Sequence, residues 1–361
     1  MARKTLCTLS TENLRHNLDV MRAAAPKAKI TAMVKANGYG HGIRSVSQRL
    51  DGYVDSLGVA SIDEALALRQ ANVKAPITLI EGVFAPEELR IAAEQGFAVV
   101  FHSAHQIRWL KETKLSTKLI AWFKLNTGMG RLGFPPEKAE AALKTLSQCP
   151  SILQPVGLIS HFACADVPSH PMNAQQIAAF RQIADSYDGP KSFCNSAGIF
   201  VFPDMHYDWV RPGIALYGAS PLADRTAASL GLKPVMTFRT ELIAVQRFRK
   251  GDTVGYGGAF VCPEDMPVGI AAVGYGDGYP RLMKEGAPVL LNDMRCPLIG
   301  RISMDMAAVD LRYSPRAAVG DKVTLWGEGL PVDEVSPYCD RLSYDLLTSI
   351  QYRVRFEWSA K

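Results

Sequence analysis

Between residue 28 and about residue 213, short apolar runs rich in β-branched residues alternate with longer amphipathic stretches, at intervals of roughly 20 to 35 residues. A strand followed by a helix, many times over, needs parallel strands with crossovers that cover the sheet. The expected strands are 30–35, 56–60, 77–80, 97–101, 118–124, 155–160, 190–194 and 207–211. Helical spacing recurs between them, as in 63–69, 86–91 and 175–180. Eight such units predict an α/β fold of the (β/α)8 TIM-barrel type, whose chemistry sits where strands end and the following loops begin.

After about residue 232 the rhythm changes to short β-rich segments at 234–247, 252–256, 268–273, 288–291, 296–303 and 322–325, with helical spacing scarce until 343–350. A mostly antiparallel β domain over 232–361 is therefore expected behind a barrel domain over 1–231. Residues 4–9 read as a strand ahead of the barrel that pairs with the second domain. A length of 361 residues suits two domains at roughly 150 residues each.

Forty Lys and Arg against 35 Asp and Glu leave a net charge of +5, spread along the chain, so no nucleic-acid partner is called for. No apolar run approaches a membrane span, and Arg3 and Lys4 lead into Glu12, Arg15 and His16 where a signal peptide would be apolar. Seven scattered cysteines, an odd number without any C-x-x-C pair, suit a reducing compartment, so the expected location is cytoplasmic. His102 and His105 lie three apart on an expected helix, yet no acidic partner follows in a zinc-binding pattern, and no metal is expected.

The sharpest local motif is Val34-Lys35-Ala36-Asn37-Gly38-Tyr39-Gly40-His41-Gly42, where an apolar strand delivers a lysine to its end and a glycine-rich turn follows. Burial among Met33, Val34 and the barrel wall would disfavour the ammonium and free the amine for Schiff-base chemistry. The rival role is a lysine snorkelling at the rim. Other strand ends carry polar groups too: Lys124, leading through Asn126 to Arg131; His161; Ser196 within Ser192–Gly198, where a hydroxyl and free amides suit a phosphate; and Arg211, before Pro212-Gly213-Ile214. A lone histidine or arginine at such a place is usually structural. Their joint occurrence at one barrel mouth is not what chance supplies.

With these residues in hand, the chain resembles the alanine racemase family over nearly its whole length, most specifically through residues 34–42. The resemblance implies pyridoxal 5'-phosphate (PLP) held by Lys35 through the cofactor aldehyde. It implies phosphate contacts from Tyr39, Ser196 and Tyr344, with backbone help at Gly213 and Ile214. His161 is similar to the residue beside the cofactor ring and Arg211 to the partner of the pyridine nitrogen. Arg131 is similar to the arginine that reaches the cofactor phenolic oxygen and the substrate carboxylate, and Met304 to the residue whose amide meets that carboxylate. Tyr256 resembles the opposing catalytic tyrosine, given by the partner subunit of a head-to-tail homodimer with composite sites, and Tyr275 the tyrosine that narrows the entrance. Two departures stand out: Asn126 replaces a common aspartate near Lys124, whose counterpart often carries a carbamate, and Arg355 interrupts a common Arg-Val-Pro ending.

The implied reaction exchanges L-alanine and D-alanine, for peptidoglycan or for D-alanine breakdown. Removing a proton from one face and returning one to the other needs two acid/base groups. A free phenol, with a pKa of about 10, is a weak base unless a cation favours the phenolate. Arginine at the ring nitrogen keeps its own proton and leaves the ring unprotonated, which limits side transamination. Two alternatives remain on sequence: a related PLP decarboxylase of basic amino acids, against which Arg211 and Tyr256 argue, and a PLP-carrying homeostasis protein, which would lack the second domain.

Overall fold

The computed structural model describes residues 3–359. Among the described residues the chain divides into two compact units. The first holds Leu18–Leu216 with Pro221–Arg225. The second gathers the N-terminal segment to Asn17, Tyr217–Ser220 and the chain from Thr226 onward.

The strands in chain order begin with β1 (Leu6–Leu9) and continue through the first unit as β2 (Lys29–Met33), β3 (Ser56–Val59), β4 (Ile77–Leu79), β5 (Ala98–Phe101), β6 (Leu119–Lys124), β7 (Ile152–Ile159), β8 (Lys191–Asn195) and β9 (Trp209–Arg211). Strands β2 to β9 close a barrel, each parallel to the next, with β2 returning to β9 through Lys29 opposite Trp209 and Ile30 opposite Val210. The expected α/β barrel is thus observed. Strands β3 and β5 are buried along their whole length, as parallel strands covered on both faces must be.

Local chemistry explains the crossovers. Helix Pro86–Gln95 opens with a proline, places Glu87 and Glu88 in its first turn and stops at Gly96 in the left-handed conformation. Helix Ile62–Gln70 starts at Ser61, whose hydroxyl accepts from the Glu64 amide.

In the second unit the strands are β10 (Met236–Phe248), β11 (Thr253–Val254), β12 (Phe260–Val261), β13 (Met266–Ala271), β14 (Pro288–Leu291), β15 (Met294–Ile299), β16 (Ala307–Asp310), β17 (Lys322–Trp326) and β18 (Arg355–Trp358). Its main sheet runs β13-β16-β15-β14-β17-β10-β1-β18. Strand β1 pairs antiparallel with β10 and parallel with β18. Strands β12, β16 and β18 went unanticipated: β12 is two residues long, β16 begins with two alanines and β18 alternates charge with aromatic residues on an exposed face.

Candidate active site

The turn after β2 is where the barrel departs most from ordinary backbone. Ala36, Asn37, Gly38 and Tyr39 all take positive φ, between 50° and 64°, which makes a left-handed turn of four residues directly after Lys35. For L-residues this costs roughly 1–2 kcal/mol each, with glycine and asparagine the cheapest occupants. The hydrogen bonds that offset the cost are local and dense. Gly38 donates to the Val34 carbonyl at 2.8 Å, Gly40 to Ala36 at 3.0 Å and Gly42 to Asn37 at 2.8 Å. The Asn37 side chain accepts from Ile43 at 3.0 Å. Glu64 clamps the turn from outside: one carboxylate oxygen accepts from Ala36 and the other from Ala60, each at 2.8 Å. The glycine-rich turn is therefore held at both ends.

Lys35 itself corrects the sequence reading. Its side chain keeps 32% exposure and donates to Glu81 Oε1 at 2.9 Å, so it is ion-paired and not enclosed in apolar wall. Lys124 occupies the buried position that was expected of Lys35. Burial, then the charges of Arg211, Arg131 and Lys35, bring its ammonium down to about 8. Arg211 is buried at the end of β9 and donates to the carbonyls of Ser160 and Phe193, to Ser192 Oγ and, at 3.3 Å, to His161 Nδ1. Desolvation lowers Arg211 to about 10, which leaves it charged at neutral pH. His161 is held well below its ordinary range, first by burial and then by Arg211, Lys124, Arg131 and Lys35, so its ring is neutral. With Nδ1 accepting from Arg211, its ring proton belongs on Nε2.

A second cluster lies in the same unit. Ser196 Oγ accepts from the amides of Gly213 at 2.8 Å and Ala215 at 3.4 Å. Gly198, whose amide was expected to be free, donates instead to the Asn195 side chain at 2.9 Å. With its two lone pairs engaged, the Ser196 hydroxyl has its proton left to donate. The Tyr39 ring lies on Gly213 so closely that a Cβ there would sit 2.3 Å from the Tyr39 oxygen. Any side chain at 213 would therefore displace the Tyr39 ring. Burial raises the Tyr39 phenol to about 12 and keeps it a neutral donor.

This donor set fits PLP. Lys35, Lys124, Arg131 and Arg211 concentrate positive charge that the chain answers with Glu81, and a phosphate, a phenolic oxygen and a substrate carboxylate would complete the balance. A lysine amine stands among them for the aldehyde.

Arg131 is exposed on a loop ordered by Asn126, whose Oδ1 accepts from Gly128 at 3.2 Å and Gly130 at 3.0 Å. An asparagine supplies that acceptor as well as an aspartate would. Sequence reasoning missed Glu64, Glu81 and Gln176. Gln176, fully buried, donates to the His161 carbonyl at 2.9 Å and to Thr127 Oγ1 at 3.3 Å, and accepts from Ala163. Glu81 was within reach of the strand-end argument, since it follows β4 by two residues, and Glu64 within reach of the capping pattern Ser61-x-x-Glu64. His102 also differs from expectation: it precedes helix Ala104–Glu112, with His105 inside it.

The remaining candidates belong to the second unit. Tyr256 sits on a single turn between β11 and β12 with 70% of its surface exposed; Met304, Tyr344 and Tyr275 are exposed at 53%, 42% and 38%. The Met304 and Tyr275 loops are tied together, Tyr275 donating to the Ser303 carbonyl at 3.1 Å and Gly276 to that of Met304 at 2.9 Å.

The family model for the alanine racemase N-terminal domain matches residues 9–221, and that for the C-terminal domain matches residues 235–358. The chain belongs to the alanine racemase family. It is 44% identical over 358 residues to the alanine racemase of Coxiella burnetii, covering 98% of each chain, and 46% identical over 344 residues to that of Nitrosococcus oceani, covering 94% of this chain and 95% of that one. Among solved structures it is similar to the biosynthetic alanine racemase of Pseudomonas aeruginosa, with a TM-score of 0.97, 41% identity and coverage of 99% and 100%. The alanine racemase of Acinetobacter baumannii gives 0.94 and 40% at the same coverage. The family reaction is the PLP-dependent interconversion of L-alanine and D-alanine, an isomerisation in the peptidoglycan pathway. A match through both domains sets aside the decarboxylase and homeostasis alternatives.

Proposed function

We propose that this chain racemises alanine with two bases on opposite faces of the substrate, Lys35 on one and Tyr256 of the partner subunit on the other. When bound, PLP supplies the electron sink that makes the α-proton of alanine removable. Lys35 holds the cofactor aldehyde and, once released, exchanges the proton on its own face. Tyr39, Ser196 and Tyr344 hold the phosphate, with the backbone at Gly213 and Ile214. The Ser196 proton and the neutral Tyr39 hydroxyl described above support that part of the reading. Arg211 faces the pyridine nitrogen and keeps its own proton there. Neutral His161 packs beside the ring and passes the Arg211 charge toward the partner's tyrosine. Arg131 and the Met304 amide receive the substrate carboxylate, and Tyr275 narrows the way in. Lys124, with an ammonium lowered to about 8, retains enough free amine to take up carbon dioxide as a carbamate, which would reverse its charge beside Arg131.

What supports the composite site is the likeness of Tyr256 to the family's opposing tyrosine together with its 70% exposure on a turn between two-residue strands, which leaves the phenol open to a second chain. The test is mixing. Lys35→Ala and Tyr256→Phe homodimers should each be nearly inactive. A mixed population in which subunits exchange should recover about a quarter of the wild-type rate, because half the dimers are then mixed and one of their two sites is intact. No recovery, with exchange verified by mass, would rule out a shared site. Six of the seven unpaired cysteines are buried, which supports a reducing, cytoplasmic location.

A further inference from the structure

Glu81 follows β4 at the barrel mouth, and its Oε1 lies 2.9 Å from Lys35 Nζ. Exposed ion pairs usually contribute little, because two long side chains must be ordered to meet. Here both residues stand within two positions of barrel strands, and both side chains keep about a third of their exposure, at 32% and 35%. The surroundings are cationic. Lys124 at the end of β6 faces the pair, with Arg131 from the loop beyond it and Arg211 at the end of β9. Glu81 is the acid that offsets those charges at Lys124, and the neighbouring His102 is hydrogen-bonded to the Glu81 backbone. The carboxylate on Lys35 is not needed to hold the strands, which pair through their backbones.

We propose that Glu81 is a positioning residue for Lys35: it holds the amine whenever Lys35 is released from the cofactor, and stabilises the ammonium formed when Lys35 takes the α-proton of the D-isomer. This rests on the reading of Lys35 as the base on that face. In the step, the Cα–H bond breaks, an N–H bond forms at Nζ and the electron pair stays with the substrate. Glu81 accepts a hydrogen bond from the ammonium and does not take the proton. In the opposite direction the same ammonium returns its proton.

Two measurements test this. In the cofactor-free full chain, labelling of Lys35 by an amine-reactive acylating reagent, followed by peptide mass against pH, should reach its midpoint about half a pH unit or more lower in Glu81→Gln, with Glu81→Asp in between. An unchanged midpoint overturns the proposal. In the holoenzyme, Glu81→Gln should raise the α-deuterium isotope effect on kcat/KM for D-alanine and lower it for L-alanine, because the Lys35 step becomes the slower of the two. Equal changes for both isomers overturn the role in proton transfer. Thermal melts of both variants check folding. Failure of the underlying Lys35 reading shows separately, as a visible cofactor band that survives in Lys35→Ala.

Discussion

The barrel mouth and the loop cluster around Asp277 in the β domain both bury charge, and they treat it in opposite ways. At the mouth, Lys124 and Arg211 are buried with Lys35 and Arg131 close enough to depress the Lys124 ammonium, and Glu81 is the acid set against them. In the β domain, Asp277 is fully buried and fully answered. It accepts from Arg3 Nη1 at 2.7 Å, from Arg353 Nε at 2.7 Å and from the Gly274 amide at 2.9 Å, while Arg353 also reaches Asp305 at 2.6 Å. A buried charge that meets its partners within the chain is scaffold, and here it locks the loops that carry Tyr275 and Met304. Like charges left in excess tax the fold and are the mark of a site whose missing anions arrive as cofactor and substrate.

The comparison predicts that the two regions fail differently. Lys35→Ala carries the largest effect on function: the visible cofactor band and the racemase activity should disappear, while the urea midpoint of the cofactor-free chain stays near wild type or rises, because one of several repelling cations is gone. A large loss of stability would blur the distinction between site and scaffold.

Asp277→Ala should do the reverse, costing about 2 kcal/mol of stability in urea denaturation, because Arg3 loses its carboxylate partner and Arg353 keeps Asp305 alone. The acid limb sharpens this. Burial alone would raise the Asp277 carboxyl, but Arg3, Arg353 and the Gly274 amide hold it below its ordinary value. Its contribution is therefore complete above the ordinary carboxylate range and is lost as pH falls through the lowered folded value. Urea midpoints followed down from about pH 5 should show a steeper acid loss in wild type than in Asp277→Asn.

Glu64→Gln is the smallest and most local test. One of the two acceptors that clamp Ala36 and Ala60 becomes a donor, which should cost about 1 kcal/mol and weaken cofactor retention, read as faster loss of the visible band on dialysis. Unchanged retention would show that the left-handed turn needs no support from outside.

Much of this is legible in the sequence. Each of the eight barrel strands lay where the alternation put it, with ends shifted by up to three residues at Ile152–Ile159, where the strand runs through Pro155 and does not begin there. Lys124 and Arg211 end their strands as expected, and His161 follows β7 by two residues. The strand ending at Met33, two residues short of Lys35, was not legible, because the positive φ values of Ala36, Asn37 and Tyr39 depend on bonds from outside the segment.

What the sequence determined alone is what depends on neighbours along the chain: periodicity, helix starts and stops, and a motif specific enough to point to a family. What tertiary structure decided is which charges meet. Lys35 and Glu81 are 46 positions apart, and Arg3 and Asp277 are 274. The ionisation of Lys124 and His161 follows from a desolvated neighbourhood that exists once the barrel has closed. Electrostatic energies depend on distance and burial, and neither is a property of a residue's place in the chain.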